Sequence, residues 1–168
     1  YRTGAPLGPR RVLLRALRPA RARWRRILWG AGRGPGPMSW RGVPLASSPT
    51  HEESWTPPGR FRFEAVERDL GSGPVWTETA SRLWDYHLHY LDALRQESVP
   101  VGERRRLLES WIAGNPPGSS PGWEPYPTAL RLVNVLGFLG GAMGEPPPPA
   151  LLQSVALLAW WLSGTMEW

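Results

Sequence analysis

The sequence predicts an all-α fold of four or five antiparallel helices behind a basic N-terminal arm. Three observations carry this. Apolar residues recur every three to four positions in four segments, about residues 80–96, 103–112, 127–139 and 150–163. Between them stand strong breakers: Asn115-Pro116-Pro117, Gly140-Gly141 and the run Pro146 to Pro149. The chain also lacks a Gly-rich phosphate loop, a G-x-S-x-G turn, an H-E-x-x-H helix and any zinc-ligand spacing.

With 168 residues the chain can bury one real core. It begins at Tyr1 and stops at Trp168 inside an apolar run, so a fragment cut at both ends is expected. The absence of cysteine excludes disulfides, thiolate metal sites and a cysteine nucleophile. All 20 basic residues are Arg, and the net charge of +6 hides an asymmetry. Residues 1–62 hold 13 Arg against 2 acidic residues, whereas residues 63–168 hold 7 Arg against 12. The basic character therefore belongs to the N-terminal third. The 11 Trp supply flat apolar faces that suit either core packing or sugar stacking, and core packing is expected for most of them.

Residues 1–57 are expected to form a poorly ordered basic arm and a Gly/Pro-rich linker. Leu13, Leu17, Ala20, Trp24 and Leu28 align along one face over residues 10–29, with Pro19 kinking the segment. Such a segment suits an anionic membrane, nucleic acid or an acidic polymer, and equally a solvated arm. No uninterrupted apolar region follows the charges as in a signal peptide. His51 stands without further ligands and reads as a surface histidine.

The folded part is expected over residues 58–168. Phe61-Arg-Phe63 alternates like a short strand. Thr77 or Thr79 then offers a cap for the helix at 80–96, whose buried line is Leu83, His87, Leu91 and Leu94, broadened by Trp84 and Leu88. Two residues advance a helix by about 200°, so His89 projects away from His87 and can pair with Asp85 at the surface. The next helix buries Leu107, Leu108, Trp111 and Ile112 and ends at Gly114. The last, over 150–163, is apolar nearly all round yet too short to span a bilayer, and reads as buried between others. No transmembrane segment is expected.

The chain is organised around Trp123-Glu-Pro-Tyr-Pro-Thr-Ala-Leu-Arg-Leu-Val-Asn134. Pro127 suits the first turn of a helix, where its missing N–H has no partner to lose. Leu130, Val133, Leu136 and Leu139 then read as its buried stripe, with Arg131 and Asn134 sharing the neighbouring face. An aromatic loop opening a helix with two hydrogen-bonding side chains is where a cleft is expected. The alternative is an Arg that caps a neighbouring helix and an Asn that satisfies a loop.

Leu83-Trp-Asp-Tyr-His-Leu-His-Tyr-Leu-Asp-Ala-Leu94 resembles the "LW-x-Y-N-L-H-Y-F-D-Y-L" segment of the heparinase II/III-like polysaccharide lyases. Trp111-Ile112 with Asn115-Pro116, then Gly122 to Asn134, is similar to that family's "RWI-x-x-NP … W-x-PYP-x-S-x-R-x-VNW". Phe61-Arg-Phe63 and Trp76 fall where the family has "F-x-F-L … W". The resemblance covers about residues 58–168 and departs at His87, Leu91 and Val135, where the family carries Asn, Phe and Trp. It implies the N-terminal part of an incomplete (α/α) toroid, with a β-sandwich domain to follow, periplasmic or secreted. The implied activity is β-elimination on acidic, uronate-containing polysaccharide, with no cofactor and no nucleic-acid partner. The family's catalytic Asn-His pair follows a segment like Met166-Glu-Trp168, so no catalytic residue is expected in this chain. Arg131, Tyr126, Trp123, Asn134, Glu124, His89 and Tyr90 are the implied substrate-binding residues. A non-catalytic helical carbohydrate-binding or scaffolding module is the alternative.

Overall fold

The computed structural model describes residues 34–41, 53–71, 76, 81–143 and 145–165, together with Ala20, Arg23 and Ile27, which are helical and exposed. The rest of the amphipathic segment at 10–29, His51, the Thr77 or Thr79 cap and Met166–Trp168 lie outside the described residues.

The fold is mixed α/β rather than all-α. A three-stranded antiparallel sheet precedes the helices, in the order β1 (Trp55–Thr56), β2 (Arg60–Phe63) and β3 (Val66–Asp69). β2 alternates as its sequence suggests: Phe61 and Phe63 turn inward, Arg60 and Arg62 outward. Its two partners carry little signal. β1 is two residues long, inside the stretch expected to be linker, and β3 (Val-Glu-Arg-Asp) is largely exposed, with no apolar alternation. The β2–β3 turn puts Glu64 and Ala65 both at positive φ, 50° and 64°, a geometry usually announced by Asn-Gly. The sheet is tied to the helices by Gln96. Its Oε1 accepts from the Ser54 and Trp55 amides at 3.0 and 3.1 Å, and its Nε2 donates to the Trp55 carbonyl at 2.6 Å.

Four helices follow: α1 (Arg82–Tyr90), α2 (Val101–Gly114), α3 (Pro125–Gly137) and α4 (Pro149–Thr165). Ser81 caps α1, its hydroxyl accepting from the Trp84 amide at 3.1 Å. The single helix expected over 80–96 is broken at Leu91, which adopts a left-handed conformation at φ 57° and is followed by a 3₁₀ turn, Asp92–Arg95. Leu91 stays buried, so the apolar pattern runs through a break that the backbone makes. A π-helical turn, Phe138–Ala142, extends α3.

Two apolar lines differ from expectation. Leu83 is 49% exposed; Trp84, Leu88, Leu91 and Leu94 are buried as expected, and His89 is buried with them. On α3, Val133 is 57% exposed and Leu130 and Leu136 are half-buried. The enclosed line is Thr128, Arg131, Asn134, Val135 and Phe138. The face carrying the polar residues is thus the interior face, because α3 packs between α1 and α4 and fixes the end of α1.

α4 buries Leu151, Leu152, Val155, Leu158 and Trp161, as its composition suggests. Among the described residues no helix is long and apolar enough to cross a membrane. The core is built on indoles. Trp111 and Trp123 lie 5.7 Å apart between centroids, and Trp123 meets Trp161 edge-on at 5.3 Å. The N–H of each of these three is satisfied: Trp111 by His89 Nδ1, Trp123 by the Asn115 carbonyl and Trp161 by the Trp123 carbonyl, all at 3.0 Å.

Candidate functional site

The motif residues divide into an internal frame and an exposed face. The frame closes the C-terminal end of α1, where carbonyls have no intrahelical partner. Arg131 Nη1 donates to the His89 carbonyl at 2.9 Å, and Asn134 Nδ2 donates to the Tyr90 carbonyl at 3.0 Å and to Asp92 Oδ1 at 2.6 Å. Arg131 is fully enclosed, with its guanidinium 3.7 Å from the centre of the Trp111 ring and 5.8 Å from that of Trp123. Burial pushes that guanidinium well down from its ordinary value. It nevertheless keeps its proton, as arginine does in proteins, and the two indole faces stand in for a counter-ion.

The sequence places His89 at the surface beside Asp85, but both are enclosed, His89 between Trp76 and Trp111. His89 Nδ1 accepts from Trp111, which assigns the remaining proton of the neutral ring to Nε2. Burial holds the imidazole down to about 4, with Arg131 adding to the effect and Asp85 and Glu124 opposing it. Gly122 lets the loop before α3 lie against this ring, since a Cβ there would stand 2.8 Å from His89 Nδ1. Arg131, Asn134, His89, Trp123 and Tyr90, all expected to touch substrate, are therefore enclosed by the fold. Arg131 and Asn134 donate to the end of α1, the capping role open to them from the start, and His89 accepts from an indole.

Tyr126 and Glu124 reach the surface. Tyr126 is 61% exposed on the first turn of α3. It meets Tyr90 edge-on at 5.7 Å, Tyr90 meets His87 at 5.0 Å, and His87 stacks on Phe63 at 5.5 Å. A continuous aromatic run thus crosses from β2 over α1 to the start of α3. Burial pushes the Tyr90 phenol up to about 12, helped by Tyr126, Asp92, Tyr86 and Glu64, so these groups share one neighbourhood. At the sheet end the run borders an open groove of about 530 Å³ lined by Phe63, His87, Arg62, Glu53, Glu64 and Asp92.

At the other end Glu124 is held by three side chains. Arg82 Nη2 bonds both carboxylate oxygens at 2.7 and 2.8 Å, Ser120 Oγ donates at 2.9 Å, and the Tyr86 hydroxyl donates a short hydrogen bond. Burial pushes the Glu124 carboxyl up, but the bonds from Tyr86, Ser120 and Arg82 outweigh it and hold it below the ordinary value. Burial also raises the Tyr86 phenol, with Glu124 adding to it.

Arg82, Tyr86 and Asp92 were not singled out in the sequence, and Phe63 was read there as a strand residue. The available signal was the spacing of Arg82, Tyr86 and Tyr90 at four-residue intervals, which places them on one face of α1. Among the described residues no group of His, Asp and Glu side chains is arranged to hold a metal ion. Chemically, the face offers the exposed Tyr126 ring, backed edge-on by the buried Tyr90 and edged by hydrogen-bonding and charged groups. No family model, no curated protein and no solved structure matches this chain.

Proposed function

We propose that this chain forms one wall of the substrate groove of a lyase that cleaves uronate-containing polysaccharide by β-elimination. The observation that carries the reading is the aromatic run Phe63, His87, Tyr90 and Tyr126, built from three sequence segments that resemble the same lyase family in the same order. A pyranose ring presents an apolar C–H face that packs on a phenol ring, while its hydroxyls seek the flanking carboxylates and hydroxyls. Tyr126 is the natural platform, being exposed and seated on a helix start fixed by Glu124.

β-Elimination needs the uronate carboxylate neutralised to acidify the C5 proton, a base to remove it and an acid to protonate the departing C4 oxygen. The wall's part in this is to hold and orient the sugar, and the acid–base groups belong to the remainder of the lyase.

The test is the rise in ultraviolet absorbance from the unsaturated uronate product, measured on the protein expressed with the reading frame that follows Trp168. Heparin, heparan sulfate, alginate and a bacterial exopolysaccharide are the substrates. Tyr126→Ala is expected to lower kcat/KM by about tenfold, the equivalent of one stacking contact of roughly 1.4 kcal/mol. No rise on any substrate would overturn the lyase reading. Sugar binding without a rise would identify a carbohydrate-binding module instead.

A further inference from the structure

We propose that Arg82 recognises the negative charge of the sugar, holding a carboxylate or sulfate of the unit that stacks on Tyr126. The inference rests on the polysaccharide reading above.

The geometry singles this residue out. Arg82 stands one turn before Tyr86 and two before Tyr90 on the same face of α1. Its side chain is 67% exposed, yet its position is fixed. Nε donates to the Tyr86 hydroxyl at 3.1 Å, Nη2 is taken by Glu124, and the guanidinium lies 5.4 Å from the centre of the Tyr86 ring. Among the described residues Nη1 has no hydrogen-bond partner, and the side chain is largely exposed, so an incoming anion can reach it. Glu124, which anchors this arginine, lies two positions before the Tyr126 platform, so cation and platform are set by one cluster.

Four other arginines of the helices are committed elsewhere. Arg131 is enclosed, and Arg104 is enclosed and donates to the Leu94 carbonyl. Arg105 and Arg106 pair with Glu109 and Glu103 on α2. Arg62 stands in the groove among Glu53, Glu64 and Asp92, where an anion meets more negative than positive charge. A guanidinium already immobilised loses little freedom when it binds, and its remaining Nη1 can donate a charge-assisted hydrogen bond to a carboxylate or sulfate oxygen.

The experiment compares a uronate oligosaccharide with its carboxyl-reduced form by titration calorimetry, on the full chain and two variants. Arg82→Gln is expected to weaken the acidic ligand by about tenfold and to leave the reduced ligand within about twofold. Glu124→Gln removes the competing carboxylate while keeping the cation, and is expected to tighten the acidic ligand by about threefold. If Arg82 served only to latch Glu124 in place, both variants would weaken both ligands alike, and that result would overturn the inference alone. A wild-type chain that binds neither ligand would overturn the polysaccharide reading and this inference with it.

Discussion

Replacing Asn134 by Asp changes almost no volume, yet it turns a donor into an acceptor at the point where α3 holds the end of α1. Asn134 Nδ2 serves two acceptors, the Tyr90 carbonyl at 3.0 Å and Asp92 Oδ1 at 2.6 Å. The first bond contributes about 1 kcal/mol and the second, to a charged group, about 2 kcal/mol, so Asn134→Ala is expected to cost about 3 kcal/mol. Asn134→Asp loses both bonds and adds a second carboxylate beside Asp92. Two charges about 3 Å apart repel by about 5 kcal/mol at an effective dielectric of 20, and partial exposure of Asp92 reduces this to about 2 kcal/mol. The total of about 5 kcal/mol at pH 7 is comparable to the whole stability of a small domain.

The pH dependence has a definite sign. The introduced carboxyl has its folded pKa raised above the unfolded value near 3.9 by burial and by Asp92. Its extra penalty is absent below about pH 4 and grows as pH rises through the folded pKa. Urea unfolding followed by tryptophan fluorescence, with slopes compared to confirm two-state behaviour, measures both variants at pH 7 and pH 4. If Asn134→Ala costs less than about 0.5 kcal/mol, or if Asn134→Asp is no worse than it at pH 7, Asn134 does not hold the end of α1.

Two further outcomes are expected. Ala65 at φ 64° carries roughly 1–2 kcal/mol of left-handed strain, against about 0.5–1 kcal/mol of extra unfolded-chain entropy for glycine. Ala65→Gly should therefore stabilise by about 0.5–1 kcal/mol and raise Tm by a few degrees, and a lower Tm would contradict the turn geometry. His89 is held down to about 4, below its unfolded value near 6.5, so the native state binds fewer protons between these limits. Stability is then fully present above about pH 6.5 and falls toward pH 4 by up to about 1.4 kcal/mol per unit. Denaturant unfolding at pH 7 and pH 5 should show this slope in the wild type and a shallower one in His89→Gln; equal slopes would place the histidine elsewhere.

The helix α2 and the strand β2 were legible because each buries a simple periodic face, Leu107, Leu108 and Trp111 or Phe61 and Phe63, and α4 because it is apolar nearly all round. The sheet as a whole was not. β1 has two residues, β3 has no apolar alternation, and the turn between β2 and β3 uses Glu64 and Ala65 where local chemistry favours Asn-Gly. Periodicity placed α3 but misread its buried face, because Arg131 and Asn134 lie beside the apolar stripe and look accessible until an unsatisfied helix end is set against them. What makes them interior is the left-handed break at Leu91, a backbone event with no glycine to announce it. The same break decides the site. By drawing Arg131, Asn134 and His89 inward, it leaves Tyr126, Glu124 and the Arg82–Tyr86–Tyr90 face of α1 as the groups that meet solvent or border it.

The most direct measurement is a titration of the ¹⁵N-labelled chain with a uronate oligosaccharide, followed by amide and aromatic chemical shifts. Saturable shifts are expected at Tyr126, Tyr86, Arg82 and His87, and none on the exposed face of α2 around Arg105 and Arg106. Shifts confined to α2, or no saturable shift anywhere, would contradict the proposal that this aromatic face is a sugar-binding wall.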